Sequence, residues 1–162
     1  MTYNAPTPIG PDNEQWPGQL DAKRAFVEAG TALTDSALSL ESAVDAVENI
    51  DVETLLRVFK ERRMKAKREL VDVGLTNGFR IDGVDPTKTE ELRRTWMTLK
   101  AKVADDQAVI ATLTAGERDA IERLEAATDR GLPAEVESIL GSAIDEILNN
   151  LELLDAETLN QS

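Results

Sequence analysis

Apolar residues recur at helical spacing from residue 20 almost to the C-terminal end, and this repetition constrains the fold more than any single motif. Phe26, Leu33, Leu40 and Val47 stand seven residues apart, with Gly30, Ala37 and Val44 filling the 3–4 spacing between them. That is a heptad seam of about three and a half repeats, and it predicts one long helix over 20–50. Gly30 and Ala37 make one of its two rows small, so a neighbouring helix could approach closely while burying little area. The seam suits either of two arrangements: an amphipathic helix inside this chain's own bundle, or a coiled coil with another copy.

Proline placement sets the N-terminal boundary. Four of the six prolines, Pro6, Pro8, Pro11 and Pro17, fall in 1–19, which predicts an extended arm ahead of the helix. Tyr3, Ile9 and Trp16 are its apolar residues, and an aromatic in a polar, proline-rich arm suits anchoring on a partner.

Residues 51–162 read as a helical domain with a short hairpin insertion. Asp51 is a suitable N-cap, with Glu53 in the first turn and Leu55, Leu56, Val58, Phe59, Ala66 and Leu70 as apolar contacts. Asn77-Gly78 is a strong turn signal between Leu75-Thr76 and Phe79-Arg80-Ile81, and it predicts a small β-hairpin near 75–81. Thr87-x-x-Glu90 and Thr114-x-x-Glu117 have the spacing of capping boxes, so a helix should start at each, with a kink or loop near 113–116. Gly131 is placed to end that second helix and Pro133 to open the last one. The last carries a broad apolar face from Val136 to Leu154. The fold class expected is all-α: an elongated bundle of four to five helices with the extended arm and the small hairpin.

Charge is unevenly spread. The net of −13 comes from an acidic N-terminal third, a basic block over 57–68, a mildly acidic stretch 69–130 and a C-terminal stretch 131–162 with acids alone. The basic block is Arg57, Lys60, Arg62, Arg63, Lys65, Lys67 and Arg68 against Glu61. At 100° per residue it wraps most of a helix circumference instead of forming one stripe. It suits pairing with an acidic surface, either this chain's own helices or those of a neighbouring copy. Nucleic acid is a poor partner, since the chain as a whole repels phosphate and no aromatic residues interleave with the bases.

Composition excludes several chemistries. With no Cys and no His there are no disulfides, thiol nucleophiles, catalytic triads or common zinc sites. The pairs Asp105-Asp106 and Glu90-Glu91 diverge on a helix, and no phosphate-binding or nucleophile-elbow motif is present. Asp82 and Asp85 lack the rest of a calcium loop. No catalytic, cofactor-binding or metal-ligating residue is therefore assigned, and a non-enzyme is expected. No run approaches the roughly 20 apolar residues of a membrane span, and the first residues lack the pattern of a signal peptide.

One ordered set of motifs resembles a known family. Arg62-Arg63-Met64-Lys65-Ala66-Lys67-Arg68 leads into Gly74-Leu75-Thr76-Asn77-Gly78-Phe79-Arg80-Ile81-Asp82, then Asp85-Pro86-Thr87, a helix with Trp96, and Leu113-Thr114-Ala115-Gly116-Glu117-Arg118. Over about residues 55–128 this order resembles a small uncharacterised domain of tail-fibre and tail-assembly proteins of tailed bacteriophages. The acidic C-terminal helix lies outside the resemblance. It implies a virion structural or assembly role in the tail or head–tail region, with no catalytic residues to carry over. On that expectation the protein oligomerises and docks on other virion proteins, and resides in the virion after synthesis in the host cytoplasm. Tyr3, Ile9 and Trp16 would be partner anchors, and Phe26, Leu33, Leu40 and Val47 an association seam. The alternative is a monomeric acidic regulator, or nucleic-acid mimic, that binds a basic protein.

Overall fold

A computed structural model describes residues 17–80, 86–102 and 105–160. It contains five helices: α1 Pro17–Ala46, α2 Ile50–Thr76, α3 Pro86–Ala101, α4 Asp106–Ala127 and α5 Ala134–Asn160. No strand occurs among the described residues. None of the helices is long and apolar enough to cross a membrane.

Helix α1 packs along both α2 and α4, and α5 closes the other side against the same two helices. These four form the bundle, and α3 lies against α1 from outside. Because α1 is built into the same interior as α2, α4 and α5, residues 20–50 are part of one bundle with the residues that follow. Its row of Ala22, Ala25, Ala29 and Ala32 is buried, as the close approach of two neighbours requires.

The interior divides into two apolar clusters. One joins Phe26, Leu33, Leu70, Leu124, Leu140 and Ile147. The other joins Leu40, Val47, Leu56, Phe59, Trp96, Leu113 and Leu154.

Several local expectations are corrected. Leu75 and Thr76 close α2 instead of starting a hairpin. The Asn77-Gly78 signal is used as a helix stop: Gly78 takes φ 82°, its N–H donates to Leu75 O at 3.2 Å, and Phe79 N–H donates to Gly74 O at 2.7 Å. This is the Schellman pattern, and it needs the same left-handed glycine that a hairpin turn would need. Phe79 then packs on Phe26, ring centroids 5.4 Å apart. Ile81 lies outside the described residues.

The arm expected over 1–19 is shortened, because α1 starts at Pro17, where proline suits a first helical position. Residues 1–16, with Tyr3, Ile9 and Trp16, lie outside the described residues. The cap of α2 is Asn49, whose Oδ1 accepts from Asp51 N at 2.9 Å and Val52 N at 3.1 Å, so Asp51 sits in the first turn. The second capping box does not form. Helix α4 runs unbroken through Thr114 and Gly116, and it begins instead at Asp105, whose carboxylate accepts from Ala108 N at 2.9 Å. Glu117 cannot turn back to cap because its carboxylate is buried in the bundle. Helix α4 ends at Ala127, four residues before Gly131, and Gly131 takes φ 86° in the connection to α5.

Candidate functional site

Between the two apolar clusters the bundle carries a polar layer with one side chain from each of its four helices. Ser36 comes from α1, Arg63 from α2, Glu117 from α4 and Asn150 from α5, and all four are buried. The Arg63 Nη2 donates to Asn150 Oδ1 at 2.8 Å and lies 3.0 Å from Glu117 Oε2. The Ser36 hydroxyl donates to Glu117 Oε1. Burial pushes the Glu117 carboxyl above its usual range, against the opposing pull of Arg63 and Ser36. Burial also lowers the Arg63 guanidinium, against Glu117 and Glu146, though such a group stays charged. Arg63 Nε and Nη1 and Asn150 Nδ2 are buried without a hydrogen-bond partner among the described residues.

A second ionic group fastens α4 to α1. Arg123 Nε donates to Glu28 at 2.7 Å, Nη1 donates to Asp35 at 3.0 Å, and Asp119 lies 3.6 Å away. Burial works against this guanidinium's charge, yet the bonds to Glu28 and Asp35 outweigh it and hold its pKa above the usual value. Asp35 also accepts from Thr89 Oγ1 at 3.0 Å, and Trp96 Nε1 reaches Ser39 Oγ at 3.4 Å. These two contacts seat α3 on α1. Both sides of that seat are recessed. On the α4 side lies a polar pocket of about 310 Å³ that includes Asp35, Ser39, Asp119 and Arg123. On the α2 side lies a groove of about 520 Å³. Its apolar lining is Ala37 and Leu38 of α1 with Met64 and Val71 of α2, and Lys67, Arg68 and Arg93 stand around it.

The expected site residues divide accordingly. Phe26, Leu33, Leu40 and Val47 are buried within this chain's own clusters, at 0, 0, 0 and 7% exposure, so they offer no seam to another copy. The heptad is satisfied inside the bundle by α2 and α4. The basic block is split by helix geometry. Arg63 points into the core, while Arg57, Arg62, Lys65 and Arg68 are exposed and Lys60 and Lys67 are half-buried. Arg57 pairs with Glu53 of its own helix at 2.8 Å, and Arg62 reaches Glu146 of α5 at 3.6 Å. The block therefore meets acids of its own chain at Arg57, Arg62 and Arg63.

Ser36 and Asn150 escaped the sequence reading, and Glu117 entered it only as a capping residue. Their signal was present: Leu56, Phe59, Arg63, Ala66 and Leu70 keep a core register with a charge in the middle position. Leu113, Glu117, Ala120 and Leu124 do the same on α4. Among the described residues, no group of three or more acids is placed to hold a metal ion. Comparison of the chain with protein-family models, with curated proteins and with solved structures finds no match.

Proposed function

We propose that the protein is a non-enzymatic structural component of a phage-like virion, in the tail or head–tail region, acting by oligomerisation and by docking on neighbouring virion proteins. The observation that carries this reading is the uneven distribution of charge over the bundle's outer helices. The outward residues of α5 include Asp145, Glu152 and Asp155, and this helix holds no base. Helix α2 turns Arg57, Arg62, Lys65 and Arg68 to solvent along its middle, with Glu61 among them and Asp51, Glu69 and Asp72 exposed on either side. A body with one acid-only outer helix and a second whose middle carries a cluster of exposed bases is suited to repeated, oriented contacts with copies or neighbours. The motif order over 55–128 supports the same reading, and Tyr3, Ile9 and Trp16 remain its partner anchors.

The test is mass spectrometry of phage-like particles purified on a density gradient from the organism that carries this sequence. Peptides of this chain that co-sediment with the particles at fixed stoichiometry are the expected result. Peptides confined to the soluble fraction would overturn it.

The acid-only helix α5 also favours a second reading, an acidic regulator that binds a basic protein. That reading predicts binding that weakens steeply with salt and is lost when Asp145, Glu152 and Asp155 become amides.

A further inference from the structure

The groove between α1, α2 and α3 has a complement on the far side of the same molecule. On α5, Leu148, Glu152, Asp155 and Leu159 follow at steps of four, three and four residues, which places them on one stripe of the helix. Leu148 is 45% and Leu159 73% exposed, so the stripe presents two leucines to solvent with two carboxylates between them. The groove reverses this pattern. Its apolar lining holds Leu38, Met64 and Val71, and its nearby cations are Lys67, Arg68 and Arg93. Glu41 and Asp72 also line it. Because α2 runs back along α1, these two acids fall at opposite ends of the groove, with Lys67 and Arg68 between them and Arg93 on α3 near the Glu41 end.

The groove extends about 12 Å along α2 from Met64 to Asp72, shorter than the about 16 Å between the two leucines, so it takes one leucine with the two carboxylates, about 10 Å of the stripe. The stripe cannot reach the groove of its own chain, because α5 sits across the bundle from α1, packed on α2 and α4.

We infer that the groove receives the α5 stripe of a second copy, in a head-to-tail contact that joins a leucine to the Met64 floor and carboxylates to Lys67 and Arg68. The inference rests on the proposed subunit role and supplies its self-association surface in place of the buried heptad. A contact between two different patches is heterologous, so it builds a closed ring or an open filament, not a two-fold dimer. Its ionic part is exposed and must weaken with salt, since the Debye length falls to about 3 Å at 1 M.

The test is absolute mass by light scattering behind a sizing column, over a range of concentrations at low and high salt, using the full chain. The wild type should exceed 17.7 kDa increasingly with concentration at low salt and return towards it at high salt. Two surface variants, Leu148→Asp/Leu159→Asp and Lys67→Glu/Arg68→Glu, should each stay monomeric with unchanged helicity. Mixed in equal amounts they keep one intact stripe and one intact groove, and should form a heterodimer and nothing longer. A wild type that is monomeric throughout, assembly that survives in either variant, or a mixture that stays monomeric would each overturn the inference. None of those results bears on whether the chain is found in particles, so the subunit role is judged separately.

Discussion

Arg63 Nη2 and Glu117 Oε2 lie 3.0 Å apart at the centre of the bundle, each side chain 1% exposed. Both charges have left water, and two of the guanidinium's three nitrogens have no hydrogen-bond partner among the described residues. Such a pair fixes which helix faces which more than it adds net stability.

Removing one member should therefore cost far more than removing the group. Arg63→Ala strands the Glu117 carboxylate and should lower the unfolding free energy by about 3–5 kcal/mol. Replacing the set with apolar side chains of similar size, Arg63→Met/Glu117→Leu/Asn150→Leu, should be neutral or stabilising by up to about 4 kcal/mol. Urea titrations followed by far-UV circular dichroism measure both. Equal losses in the two variants would show that the layer stabilises on its own account.

The same carboxyl predicts a pH dependence. Burial raises the folded pKa of Glu117 above its unfolded value near 4.5, so the folded protein holds that proton more tightly than the unfolded chain. Its contribution is most favourable below the unfolded pKa and declines as pH rises through the raised folded value. Asp21 acts in the opposite sense, because the hydrogen bond from Arg130 lowers its pKa and that contribution disappears on acidification. Glu117→Gln isolates the first effect. The stability of wild type relative to this variant should fall as pH rises above about 4.5, and a flat difference curve would contradict the assignment.

Gly74 is required by a close approach. A Cβ there would stand 2.2 Å from Cζ of Phe26, whose ring is itself in contact with Phe79. Gly74→Ala should destabilise by about 1–3 kcal/mol, despite the gain in helix propensity. Combining it with Phe26→Leu should give less than the sum of the two single losses, because both changes act on one contact. Thermal unfolding of the four proteins forms the cycle.

The α1–α2 connection is held from two sides. Asn49 caps α2, while Asp106 of α4 accepts from Glu48 N and Asn49 N, each at 2.9 Å. Asn49→Ala should cost about 1 kcal/mol. Asp106→Ala should cost about 1.5–3 kcal/mol, towards the lower end because the site is partly solvated. Chemical denaturation midpoints would show both, and an unchanged midpoint for Asp106→Ala would remove it as a clamp.

Fold class was legible because apolar spacing is a local property: Phe26 to Val47 and Val136 to Leu154 mark their helices without knowledge of any neighbour. What those faces pack against was not legible, and a heptad that could have joined two chains joins α1 to α2 and α4. Asn77-Gly78 misled for a related reason. A left-handed glycine satisfies both a hairpin turn and a helix stop, and the choice depends on whether Phe79 has a ring to meet. Thr114-x-x-Glu117 had the correct spacing, but the glutamate was claimed by Arg63, a partner 54 positions away. The polar layer was visible one helix at a time, as a charge within an apolar register. Only the tertiary meeting of four helices shows those charges to be one group.

The polar layer has a mechanical consequence. It divides the interior into two apolar slabs stacked end to end, so the bundle is not one continuous hydrophobic column. The slab holding Trp96 and Leu154 and the slab holding Phe26 and Leu140 share no buried apolar cluster. Hydrogen exchange should therefore show one end of the molecule opening as its own cooperative unit while the other keeps its amides protected. On that expectation the buried charges are the bulkhead that stops fraying at one end from travelling the length of the bundle.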